Sequence, residues 1–314
     1  MATGITEIAG EKVFNIDTVD RPTWEDEVEE EFRRLLELEY FTDPSEMPVV
    51  TYNREFLRTD GVLSDRQIKV GLAIGHLVCD PYPRVINGSS VDVTLGYYFY
   101  HAGSPDQAGG LFNPFDQDDT HRYFGIKDAE NNFKEAKPWG EVRQKVIKQM
   151  GTGALEKLGD IEYLPGIPED HPMILLRPGE RILAHTNEFI GILPPGTTSM
   201  QARSTMGRIG LSACYCAGWG DPGYINRWTM EIHNLNENEY LPLPVGFRPA
   251  QIVFSATGPV GIEYSKASGN YQNTSANDLV TVKANWRPYG MIPQAFKNEL
   301  LLPTPVAGLS EGLK

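Results

Sequence analysis

Apolar and polar positions change period three times along this chain. Over 24–40, Trp24, Val28, Phe32, Leu35 and Leu36 recur at helical spacing behind the cap residue Thr23, with acids in the first turn, so a helix is expected. The capping box Ser64-x-x-Gln67 opens a second expected helix over 64–76. From Ser89 the period drops to two, with Val91, Val93 and Leu95 followed by the aromatic run 97–100, which reads as strand. Residues 102–170 break this pattern with Gly, Asp, Pro and Asn, and carry one further helical stretch at 140–150 (Val142, Val146, Ile147). Beyond 172, short strand-like segments alternate with turns such as Arg177-Pro178-Gly179-Glu180, Pro194-Pro195-Gly196 and Pro244-Val245-Gly246.

That rhythm predicts a mainly β protein, a distorted antiparallel barrel or jelly roll over about 85–285 with a few added helices. Residues 1–61 read as an N-terminal extension whose helix packs or contacts another subunit. Residues 62–285 form the expected core, with an insertion at about 102–170 that is too long for an ordinary connection and is placed near the site or its rim. Residues 286–314 read as a C-terminal tail, flexible from about Pro303.

Chemistry concentrates in 203–234, RSTMGRIGLSACYCAGWGDPGYINRWTMEIHN. Arg203, Ser204, Thr205 and Arg208 cluster in one polar turn, as directed donors to phosphate oxygens would. The turn Asp221-Pro222-Gly223-Tyr224 follows, and then Glu231 stands inside a strand-like segment, where a carboxylate can serve as general base. Each residue alone has an ordinary explanation. A strand glutamate usually faces solvent, Arg208 could make a surface ion pair, Ser204 could brace a turn, and Asp221 could be an Asx-turn carboxylate. It is the grouping that points to a nucleotide.

Composition narrows the setting. The chain has 314 residues, 40% hydrophobic, enough for a sizeable core. The absence of a long apolar run and of a basic-then-apolar N-terminus leads to the expectation of a cytoplasmic protein with no membrane partner. A formal charge of −14 argues against a nucleic-acid partner, which needs excess Lys and Arg, but leaves room for one nucleotide. Cys79, Cys214 and Cys216 cannot make a disulfide framework and read as reduced and mostly buried, the last two alternating along one strand. Zinc deaminases need H-x-E and P-C-x-x-C elements, and neither occurs. P-loop, Rossmann and G-x-S-x-G signatures are also missing.

The blocks RSTMGRIGL, CAGWGDPGY and WTMEIHN resemble, in order, those of the dCTP deaminase branch of the dUTPase-like superfamily. LSDRQIKVGL, INGSSVDVTLG, LLRPGERILAHTNEFIGIL and LPVGFRPAQIVF resemble its flanking elements, so the likeness spans roughly 62–101 and 172–285. The resemblance implies that Glu231 activates the water that attacks C4 of cytosine. It places Arg208 and Ser204 beside the reacting end and has the Ala217 carbonyl position that water. Asp221 would face the 3′-hydroxyl, and Tyr224 would pack on the deoxyribose. Arg203, Thr205, Thr229, Gln251, Tyr264, Lys266 and Tyr271 complete the implied nucleotide contacts.

Three departures stand out. Asn226 occupies a position where the family usually has Gly, and because Asn tolerates a left-handed conformation better than most residues the turn is expected to survive. Asn270 replaces the expected phosphate lysine, and Thr274 the second glutamine of the Y…KYQGQ segment. The resemblance further implies a homotrimer with shared sites, Mg²⁺ carried by the substrate phosphates, no zinc, and dTTP as an inhibitor. The leading expectation is hydrolysis of dCTP to dUTP and ammonia. The alternatives are a bifunctional enzyme yielding dUMP, suggested by the Gly218-Trp219 pair, a dUTPase, and a nucleotide-sensing protein.

Overall fold

The computed structural model describes residues 5–8, 11–14, 61–73, 75–103, 110–127, 133–150, 166–215, 217–262, 264, 271 and 278–297. The helix expected at 24–40, together with Lys266, Cys216, Asn270, Thr274 and the segment from 303 onward, lies outside these residues.

The fold is mainly antiparallel β with a few helices, as the alternation and turn spacing predict. One sheet runs in the order Leu211–Ser212, Ile225–Asn234, Arg181–Ile192, Leu95–His101, Lys134–Glu135, with Leu77–Asp80 also paired to Arg181–Ile192. A second runs Trp219–Gly220, Gly196–Ala202, Ala250–Ala256, Ser90–Val93, Ile86–Asn87. A small third sheet joins Leu241–Pro244, Pro172–Leu176 and Lys137–Pro138. Among the described residues these ladders stay open and do not close into a barrel. They share one apolar core, to which Val91, Phe254 and Met200 contribute from the second sheet and Ile182, Ile190 and Ile232 from the first.

The strand Arg181–Ile192 organises this core. Every residue after Arg181 is buried, the mark of a strand covered on both faces rather than one. Its register shifts between His185 and Phe189, and the buried polar groups there find partners locally. Thr94 donates from its backbone N–H (2.8 Å) and its hydroxyl (2.6 Å) to the Glu188 carboxylate, and the Trp228 N–H donates to Thr186 Oγ1 at 2.9 Å.

The capping box forms, with Gln67 Oε1 accepting from the Ser64 N–H at 2.9 Å, and the helix runs Asp65–Ala73. The helix expected at 140–150 spans Trp139–Met150. A further helix, Gln117–Phe124, arises inside the insertion. Asp116 accepts from the Asp119 N–H at 2.7 Å, and Gly125 stops the helix at φ 70°. Cys214 falls outside the strand Leu211–Ser212, so the expected alternation with Cys216 is not a strand feature.

The boundary at 286 needs correcting. After the helix Leu279–Asn285, capped by Asp278, Trp286, Met291 and Ile292 are buried in the main core, so the chain stays on the fold through 297. Pro288, Gly290 and Pro293 interrupt any apolar period there, which hides the packing from a pattern reading.

Candidate active site

The site is built on the strand Ile225–Asn234 and the turn before it. Pro222 and Gly223 occupy the second and third places of a four-residue turn, Gly223 at φ 86°, and the Tyr224 N–H donates to the Asp221 carbonyl at 2.9 Å. This is the type II pattern, which requires a residue free to adopt positive φ at its third place. The turn leaves Asp221 exposed and swings Tyr224 against two rings, Trp228 at 5.4 Å and Tyr264 at 5.2 Å, both edge-on. Trp228 is itself fixed by its indole N–H donating to the Ile190 carbonyl at 3.1 Å.

A cavity of about 650 Å³ opens beside this strand. Glu231, Thr229, Asp221 and Tyr224 line it, with Ala217, Tyr264 and Tyr271. Glu231 lies opposite Leu183 in the ladder, and burial pushes its carboxyl above the usual carboxylate range. Its own backbone N–H, the Tyr215 N–H and the Arg181 guanidinium oppose that rise without cancelling it. Among the described residues, Glu231 Oε2 is buried and accepts no hydrogen bond. A carboxylate with an oxygen left open in this way is equipped to take a proton from a water.

The polar turn goes elsewhere. Arg203 precedes the short helix Ser204–Arg208, and Arg203 and Thr205 line a different cleft of about 550 Å³, while Ser204 and Arg208 are exposed and line neither cavity. Gln251 sits on the second sheet opposite Asp92, accepting from Ser90 Oγ at 3.0 Å, and it too is outside the Glu231 cavity. Within the chain, therefore, Glu231, Asp221 and Tyr224 line one cavity, and Arg203, Ser204, Thr205, Arg208 and Gln251 lie outside it.

Asn226 does not sit in a left-handed turn. It pairs with Ile190 inside the ladder, and its side-chain amide donates to the Tyr271 carbonyl at 3.0 Å. Asn at this position therefore ties the C-terminal segment to the cavity wall, a role that glycine lacks a side chain to fill.

Several wall residues have no role in the sequence reading. Phe112 stacks on Tyr123 at 4.2 Å, the Tyr123 hydroxyl accepts from Arg181 Nη2 at 2.9 Å, and all three line the cavity with Trp286 and Met291. Arg181 could have been found only by knowing that its strand pairs with that of Glu231, a long-range register that sequence spacing does not encode. His233, two residues beyond Glu231, turns instead to the Gly179 carbonyl at 3.2 Å. Cys79 is buried and Cys214 half-buried. Among the described residues, no three His, Cys, Asp or Glu side chains converge as a metal site, and no helix is long and apolar enough to cross a membrane.

A family model described as dCTP deaminase-like matches residues 144–257. A protein of Methanopyrus kandleri named dCTP deaminase, dUMP-forming, is 40% identical over 111 residues, covering 33% of this chain and 54% of that one. One of the same name from Methanosphaera stadtmanae is 30% identical over 195 residues, covering 62% of this chain and 78% of that one. Thus the chain spans about half of the first relative's length and over three quarters of the second's. The crystal structure of 2′-deoxycytidine 5′-triphosphate deaminase from Agrobacterium tumefaciens aligns with a TM-score of 0.40 at 16% identity, covering 64% of this chain and 49% of that one.

Proposed function

The chain belongs to the dCTP deaminase-like family, and from that premise we propose that it converts dCTP and two waters to dUMP, ammonia and diphosphate. The observation that carries the reading is Glu231, a desolvated carboxylate in one cavity with Asp221 and Tyr224. The dUMP outcome is favoured over the dUTP outcome expected from the motifs because the relatives bear the dUMP-forming name. Trp219, of the Gly218-Trp219 pair, also stands at the cavity, 66% exposed.

In this scheme the pyrimidine enters toward Glu231 and the deoxyribose rests against Tyr224. Glu231 takes a proton from water as its oxygen bonds to C4, then returns it to the departing amine, so the C4–N bond breaks and ammonia leaves. A second water, answering to Asp221, attacks the α-phosphorus and breaks the bond to the diphosphate. Mg²⁺ travels with the substrate phosphates and screens their charge. The separation of Arg203, Ser204, Thr205, Arg208 and Gln251 from Glu231 within one protomer supports a homotrimer in which one subunit's polar turn faces its neighbour's cavity. A pyrimidine deoxynucleoside triphosphate such as dTTP would compete there.

The test is incubation with dCTP and Mg²⁺, followed by anion-exchange separation of products. The reading expects dUMP, diphosphate and ammonia in equal amounts. Accumulating dUTP would make the protein a simple deaminase, and tight nucleotide binding without ammonia would make it a sensing protein.

A further inference from the structure

The second cleft holds more cationic side chains than the motifs account for. Arg203 and Thr205 line it, but so do Arg84 and Arg248, which no motif singled out. Arg203 Nη1 donates to Asp92 Oδ2 at 2.6 Å and Arg248 Nη1 donates to the same oxygen at 2.8 Å, while Asn87 Nδ2 donates to Oδ1 at 3.0 Å. The Asp92 side chain is 1% exposed, against 32% for Arg203 and 41% for Arg248. A buried carboxylate thus pins two guanidinium groups side by side at the mouth of a cleft.

Among the described residues, one carboxylate oxygen faces both guanidinium groups, and an anion bound in the cleft would relieve their mutual repulsion. Glu188, the other acid in the wall, has its carboxylate occupied by Thr94, and burial raises its pKa to about 7, which weakens it as a counter-charge. A guanidinium carries five N–H donors in a planar fork suited to phosphate oxygens. In a chain of formal charge −14, three arginines at one 550 Å³ cleft are a local exception.

We propose that Arg248 and Arg84 bind the phosphate chain of the nucleotide beside Arg203 and Thr205, supplying the cations that the resemblance expected from a lysine at position 270. The assignment rests on the functional reading above, and it adds two residues to which that reading gave no role. Asp92 is a positioning residue, holding Arg203 and Arg248 in register.

Inorganic triphosphate is the probe that separates this proposal from that reading. Calorimetric titration of the whole protein should show triphosphate binding that weakens about tenfold or more in Arg248→Ala and in Arg84→Ala, with Arg248→Lys between. Deoxycytidine, which has no phosphate, should bind all forms alike. If wild type turns over dCTP while both alanine variants keep its KM and its triphosphate affinity, the arginines only brace Asp92 and the proposal falls. If triphosphate binding depends on them but no cytosine nucleotide is turned over, the proposal stands and the deaminase reading fails. Should Arg248→Ala melt before measurement, Arg84→Ala and Arg248→Lys decide.

Discussion

His121 Nε2 lies 2.8 Å from the Tyr289 hydroxyl, joining the helix of the insertion to the segment that follows the last helix. Both partners belong to stretches that wall the Glu231 cavity, Tyr123 and Phe124 on one side and Gly290 and Met291 on the other. Tyr289→Phe keeps the ring and removes the bond. A loss of about 0.5–1.5 kcal/mol in denaturant unfolding is expected. The KM for dCTP should rise more than kcat falls, because the wall shapes the cavity without touching the reacting atoms. A KM unchanged beside the stability loss would separate this clamp from the site.

Glu231→Gln preserves shape and one acceptor but cannot accept the proton of water. Ammonia release from dCTP should fall by about 10²–10⁴-fold with little change in dCTP binding, while diphosphate release from dUTP falls far less. The same substitution removes a carboxylate whose pKa burial has raised, a charge that costs stability in neutral solution. The variant should therefore melt higher than wild type at neutral pH, with the gain fading as pH drops toward the ordinary carboxylate range. Ammonia release near the wild-type rate would remove Glu231 from the mechanism.

Glu188 and His76 pull stability in opposite directions over one pH range. The Glu188 pKa rises from 4.5 to about 7 on folding, so the unfolded chain ionises first and stability falls as pH climbs between those values. The His76 pKa drops from 6.5 to about 4, so the unfolded chain protonates first and stability falls as pH descends through that window. Wild type sums the two, and only variants expose them. Glu188→Gln should gain on wild type by up to about 3 kcal/mol as pH rises through the window, since the Thr94 hydroxyl can rotate to accept from the new amide. His76→Leu should gain as pH falls. Melting curves at pH 4.5, 6 and 7.5 read both slopes, and parallel curves for either variant would contradict the assignment.

What the sequence made legible was local. The Ser64–Gln67 box, the alternation from Val91 and the Asp221–Tyr224 turn are set by neighbours in the chain, and all three stand where the pattern puts them. The helix Gln117–Phe124 escaped because it is short and polar, with only Thr120 and Phe124 buried. Trp286 and Ile292 escaped because prolines and a glycine break their period. Arg181 and Arg248 acquire a role only through partners 58 and 156 positions away, a relation that no window of sequence contains. The Asn226 expectation failed for a related reason. Its conformation follows from pairing with Ile190, which overrides local turn preference.

Gly191 couples the central strand to the site turn. A Cβ there would sit 2.1 Å from the Tyr224 carbonyl oxygen and 2.9 Å from Ile225 Cα, both backbone atoms that cannot rotate away. Gly191→Ala must therefore push the strand carrying Glu231 or the turn carrying Asp221 and Tyr224. Overpacking of this kind costs about 1–3 kcal/mol, and the displaced atoms are those proposed to hold the sugar. Gly88→Ala is the control, because a Cβ at that position meets nothing within 4 Å. Gly191→Ala should lower the melting temperature and raise the KM for dCTP several-fold, yet leave inorganic triphosphate binding as in wild type, since the arginine cleft is lined by other residues. Equal losses for dCTP and for triphosphate would mean that the whole protomer has loosened and that the turn is not the point of failure.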